Sequence, residues 1–137
     1  MSSLMEMYRN PRYRGVLEDY NRSSTEINRS CGDSVTLYLR VNSQGIVEEL
    51  QFAGEGCSLS QSSAELACRL ARGLTCAQVV SLSQSFIRFL LAEPDQPVES
   101  NLPQEFSYYN DLRRYPMRQK CALMAWEILE NLCVAQG

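Results

Sequence analysis

The chain contains no histidine in its 137 residues. That absence excludes Ser-His-Asp and Cys-His catalysis, imidazole-ligated zinc and any imidazole proton shuttle. Any metal must therefore be held by Cys, Asp or Glu. Lysine is almost as scarce: of 13 basic residues only Lys120 is one, and 16 acidic residues bring the net charge to −3. The arginines are scattered and form no basic stripe, so nucleic acid is not an expected partner. Long apolar runs are missing as well. The longest, around Phe86 to Ala92, is too short to span a membrane and carries Arg88. The N-terminus Met1-Ser2-Ser3-Leu4-Met5-Glu6 has neither a basic nor an apolar leader region. A cytoplasmic protein without a membrane partner is expected.

What remains is ordinary globular material, 45% hydrophobic and 21% charged, enough for one core. A single domain over residues 1–137 is expected. Six cysteines stand out: Cys31, Cys57, Cys68, Cys76, Cys121 and Cys133. In a reducing compartment they read as core residues, metal ligands or reactive thiols rather than disulfides. No C-x-x-C pair occurs, so the common zinc-ribbon and thioredoxin patterns fail.

Periodicity organises the chain into strands first and helices afterwards. Leu4 to Tyr8 is a short helical candidate halted by Asn10-Pro11, and Ser24 to Asn28 suits a short edge strand. From Ser34 to Val41, Val35, Leu37, Leu39 and Val41 alternate with polar partners, the mark of a half-buried strand. After the turn Asn42-Ser43-Gln44-Gly45, Ile46 to Ala53 returns with Ile46, Leu50 and Phe52 on one face. Beyond Gly56-Cys57 the period becomes helical, with Leu59, Leu66 and Leu70 on one side and Gly73 as a C-terminal cap. Thr75-Cys76-Ala77-Gln78 has the form of a capping box, and Phe86 to Leu91 reads as a further short helix. Glu93 to Pro103 holds three prolines and reads as loop; Met117 to Cys133 reads as the last helix. The expected fold is α+β: a small antiparallel three-stranded sheet with helices on one face.

Three places offer chemistry. In Cys31-Gly32-Asp33, extended backbone would send the thiol and the carboxylate to the same side, where both reach one ion; a plain turn is the alternative. Gly54-Glu55-Gly56-Cys57 lies at the strand-to-helix switch, where glycines permit close backbone approach; a simple connecting turn is the alternative. Cys121 follows Pro116-Met117-Arg118-Gln119-Lys120, so a helix N-terminus and two cations would lower its pKa. Cys121, Met124, Ile128 and Leu132 equally fit a buried stripe. Cys68, Cys76 and Cys133 are expected to be small buried hydrophobes.

Taken together, these segments resemble the U-type iron–sulfur cluster assembly proteins, the NifU N-terminal, IscU and SufU family. Asn10-Pro11-x-x-x-Gly15, Asn28-x-x-Cys31-Gly32-Asp33, Phe52-x-Gly54-x-Gly56-Cys57-x-x-Ser60 and Arg118-x-x-Cys121-Ala122-x-x-x-Trp126 carry the resemblance, in order and over most of the chain. It is most similar to the SufU branch: Lys120 stands where the classical scaffolds carry histidine, and the spacer before the third motif is long. Arg29 replaces the family's usual proline, and Gln61, Glu65 and Cys68 alter its Ser/Ala-rich run.

The resemblance implies a zinc site of Cys31, Asp33, Cys57 and Cys121. It also implies persulfide uptake by Cys31 from a SufS-like cysteine desulfurase, with Arg118 stabilising thiolate charge. The alternative is a scaffold on which the same residues hold iron and a [2Fe–2S] cluster for apoproteins. In either case the chain would be the partner of a desulfurase rather than a stand-alone enzyme.

Overall fold

Alternation decides the sheet. In the computed structural model, which describes residues 3–134, Val35, Leu37, Leu39 and Val41 all point inward from strand β2, Asp33–Val41. Met1, Ser2 and residues 135–137 lie outside the described residues. Strand β2 pairs antiparallel with β1, Arg22–Asn28, on one side and with β3, Val47–Glu55, on the other. The meander has the three strands expected, and both flanking strands are longer than their sequence signals.

The register holds one correction. A shift between Arg40 and Val41 pairs Val41 with Val47. The irregularity turns Val47 into the core and leaves Ile46 half-buried, bridged to Thr75. Leu50 and Phe52 face inward as alternation requires, each adding about 1.5–3 kcal/mol of apolar burial.

Helix α1 spans Leu4–Arg9 and α2 spans Ser58–Ala71. Helix α2 is buried far beyond the stripe expected of it, with Ser60, Gln61, Ser62, Ser63 and Glu65 all inside. Apart from Gln61 Oε1, which has no hydrogen-bond partner, these polar groups find partners, as buried polar groups do. Ser63 Oγ donates to the Ala122 carbonyl at 2.6 Å and accepts from Trp126 Nε1 at 2.9 Å. Glu65 accepts the Arg12 and Tyr13 amides at 2.9 and 3.0 Å and pairs with Arg69 at 2.5 Å. The carboxylate so ties the N-terminal segment to α2.

Helix α3 runs unbroken over Cys76–Leu91, closing the capping box between Thr75 and Gln78. The separate helix expected at Phe86 to Leu91 is its C-terminal half, since no glycine or proline interrupts the span. A 3-10 helix, Gln104–Arg114, follows the proline-rich loop without any strong periodic signal of its own. It brings Phe106 and Tyr109 edge-on to Phe86, which stacks on Trp126 at 4.8 Å between centroids. Helix α4, Pro116–Val134, completes the layer and packs with α2 over the sheet. Among the described residues, no helix is long and apolar enough to cross a membrane.

Candidate metal centre

Asp33 continues the inward set of β2, two residues before Val35, so the strand's own alternation buries its carboxylate. The residue is 0% exposed. A buried carboxylate needs partners, and two come from the start of α2. The Cys57 amide donates to Oδ1 at 2.8 Å, and the Cys57 thiol lies 3.8 Å from Oδ2. Cys57 is the N-cap of α2, which aims its free N–H at the carboxylate.

Cys31 sits in the tight turn joining β1 to β2, with Gly32 at φ +71°. Its backbone is therefore not extended, contrary to the expectation for Cys31-Gly32-Asp33. The turn nevertheless brings thiol and carboxylate together. Cys121 arrives from α4 in the second helical turn, buried, with its sulfur 3.9 Å from the Asn28 side-chain amide. The ligand atoms of Cys31, Asp33 and Cys121 all lie within 4.8 Å of one another. Cys57 stands against Asp33 but outside that mutual distance.

The electrostatics run opposite to the expectation for Cys121. Burial pushes its thiol well up, and Asp33, Cys31 and Cys57 push in the same direction. Lys120 and Arg118 face solvent, so the positive charges written beside the cysteine do not reach its sulfur. A cavity that crowds sulfurs around a buried carboxylate disfavours negative charge on the thiol until a cation enters.

The donor set suits such a cation. Thiolate and carboxylate ligands bind zinc at about 2.3 and 2.0–2.2 Å, and three donors this close need only small rotations to meet one ion. Cys57 adds a further sulfur beside the Asp33 carboxylate.

Residues 1–129 match the NifU-like N terminal domain. The chain belongs to that family. Within the NifU-like N-terminal family it is 31% identical over 129 residues to the zinc-dependent sulfurtransferase SufU of Bacillus subtilis, covering 93% of this chain and 84% of that protein. It is 30% identical to the iron–sulfur cluster assembly scaffold protein IscU of Thermotoga maritima, covering 94% and 88%. A solved structure of a candidate cluster-assembly scaffold for the SUF system of Fervidobacterium islandicum superposes with a TM-score of 0.85. It is 26% identical, over 95% of this chain and 93% of that one.

Two further residues of this NifU-like domain shape the surroundings of the cysteines. The Asn28 side chain, part of the first cysteine motif, ties the β1–β2 turn together by accepting the Ser30 amide and also reaches Cys121. Gly56, where the sequence predicts close approach, leaves the room that the Asp33 carboxylate occupies. Arg118 is exposed, and its guanidinium has no hydrogen-bond partner among the described residues. Cys68 and Cys133 are buried as expected, whereas Cys76 is half-buried.

Proposed function

We propose that this protein serves iron–sulfur cluster assembly as a zinc-dependent sulfur acceptor, taking persulfide sulfur from a cysteine desulfurase. The observation that carries the reading is the convergence of Cys31, Asp33 and Cys121 within 4.8 Å, with the Cys57 thiol 3.8 Å from the same carboxylate. The 31% identity to a zinc-dependent sulfurtransferase supports it, as does the complete lack of histidine.

Cys31, Asp33, Cys57 and Cys121 would hold the ion. Zinc supplies a redox-inert positive charge that keeps the thiols deprotonated. Cys31 is the acceptor because it is exposed and lies on a turn, free to swing outward. Its thiolate attacks the outer sulfur of the desulfurase persulfide. The S–S bond breaks, the desulfurase leaves as its own thiolate, and Cys31 becomes the persulfide. No net oxidation occurs. Asp33 and Cys121, both buried, stay in place while Cys31 moves. Arg118, one turn before Cys121 on α4, is the cation proposed to meet the sulfur charge during transfer.

The test is desulfurase stimulation by Cys31→Ala. The variant is expected to fold, as judged by circular dichroism, and to stimulate no longer. Undiminished stimulation overturns the choice of acceptor. The identity to an IscU scaffold carries a second reading, in which a [2Fe–2S] cluster is cargo assembled on the same residues. Elemental analysis of anaerobically purified protein separates the two. Stoichiometric zinc with little iron supports sulfur transfer, and iron with matching acid-labile sulfide supports the scaffold.

A further inference from the structure

A second pair of thiols lies away from the metal centre, where the start of α3 meets the end of α4. Cys76 is the first residue of α3 and is half-buried. Cys133, in the last turn of α4, is buried, and burial together with the neighbouring Cys76 pushes its thiol pKa up. One nitrogen of Arg22, on β1, bridges the two helices: Nη1 donates to Cys76 Sγ at 3.4 Å and to the Leu132 carbonyl at 2.9 Å. Cys133 is twelve positions beyond Cys121 on α4, about 18 Å along the axis. The pair is therefore distinct from the site formed by Cys31, Asp33, Cys57 and Cys121.

We propose that Cys76 and Cys133 form a reversible thiol–disulfide site, with Cys76 attacking, Cys133 resolving and a low-molecular-weight disulfide as oxidant. Roles follow from position. Cys76 is partly open to solvent, begins a helix and receives a guanidinium hydrogen bond on its sulfur. A small disulfide can therefore reach its sulfur, which the guanidinium N–H holds at the seam between the helices. Cys133 is shielded from solvent and follows Leu132, whose carbonyl shares the Arg22 nitrogen with Cys76, so it is placed to attack that sulfur and not a reagent in solution. The same guanidinium argues against a metal, because a cation between two sulfurs would sit against a fixed positive charge.

The chemistry balances. Cys76 sulfur bonds to one sulfur of the reagent, its S–S bond breaks, and the first small thiol leaves. Cys133 then gives up its proton and attacks Cys76 Sγ, expelling the second small thiol. Two protein thiols are oxidised by two electrons, and one small disulfide is reduced to two thiols. The product staples the first turn of α3 to the last turn of α4. The site stands whichever metal or cargo the centre takes.

The test equilibrates the full zinc-loaded chain in glutathione buffers of increasing oxidation and maps its peptides by mass spectrometry without reduction. A linked Cys76–Cys133 peptide is expected to grow with oxidised glutathione and to vanish on adding dithiothreitol. With folding checked by circular dichroism, Cys133→Ser is expected to trap glutathione on Cys76, Cys76→Ser to leave Cys133 unmodified, and Arg22→Gln to slow trapping several-fold. Absence of the linked peptide from the unaltered chain overturns the site. Trapping on Cys133 in Cys76→Ser overturns the assignment of roles.

Discussion

Asp33 and Gly56 compete for one volume. A Cβ at position 56 would fall onto the Asp33 carboxylate, 2.9 Å from its Cγ and closer still to Oδ1. Position 56 also has φ +142°, a conformation side chains seldom adopt. Glycine there is thus a condition for the carboxylate to reach the Cys57 amide and the cluster of thiols. Gly56→Ala is expected to displace Asp33 and weaken zinc binding about 10- to 100-fold, the usual cost of disturbing a ligand's support. Competition with a chromophoric chelator measures it; unchanged affinity would show that the carboxylate is not a ligand.

Zinc should stabilise the fold, because the residues proposed to hold it come from the β1–β2 turn, β2, the start of α2 and α4. At free zinc 100-fold above the dissociation constant, linkage adds about 2.7 kcal/mol, or roughly 10 °C in Tm for a domain of this size. Differential scanning fluorimetry with and without a chelator reads the shift. A Tm insensitive to chelation would remove these residues as a joint site.

Glu65 answers for two backbone amides and one guanidinium at once. Glu65→Ala is expected to cost about 2–4 kcal/mol by emptying a buried site and orphaning the Arg12 and Tyr13 amides and the Arg69 guanidinium. Urea unfolding of the variant checks the magnitude. Zinc stoichiometry should survive, since Glu65 touches no metal-site residue.

Ser63 joins α2 to α4 through the Ala122 carbonyl and the Trp126 indole. Ser63→Ala leaves the indole N–H buried without its acceptor, for an expected loss of about 1–3 kcal/mol. Tryptophan emission offers a direct reading, because Trp126 is the only tryptophan.

Alkaline pH should unfold the metal-free, reduced protein. Burial pushes the Cys133 thiol from 9.0 up to about 12, with Cys76 adding to the effect, and burial also raises Cys68 well above its ordinary value. In the folded state these thiols keep protons that the unfolded chain releases near pH 9. Their contribution to stability is complete below that pH and is lost as pH rises toward 12. Thermal melts at pH 8 and pH 10.5 are expected to show a lower Tm at the higher value, with a smaller drop in Cys133→Ala.

Residue type and spacing by themselves determined the sheet, the capping box, the last helix and the three cysteine motifs. Each rests on a period of 2.0 or 3.6, or on turn residues acting over a few positions. The lack of histidine likewise restricted the donor chemistry to thiols and carboxylates before any fold was known. Other features depended on contacts between segments far apart in the chain. The bulge that exchanges Ile46 for Val47, the burial of a polar α2 and the 3-10 helix over Phe86 all come from packing. So does the reversal at Cys121: helix sequence places Arg118 and Lys120 beside it, but the docking of α4 turns its sulfur toward Asp33 and leaves those cations in water. The Cys76–Cys133 pair became visible for the same reason, since only the packed helices bring the first turn of α3 against the last turn of α4.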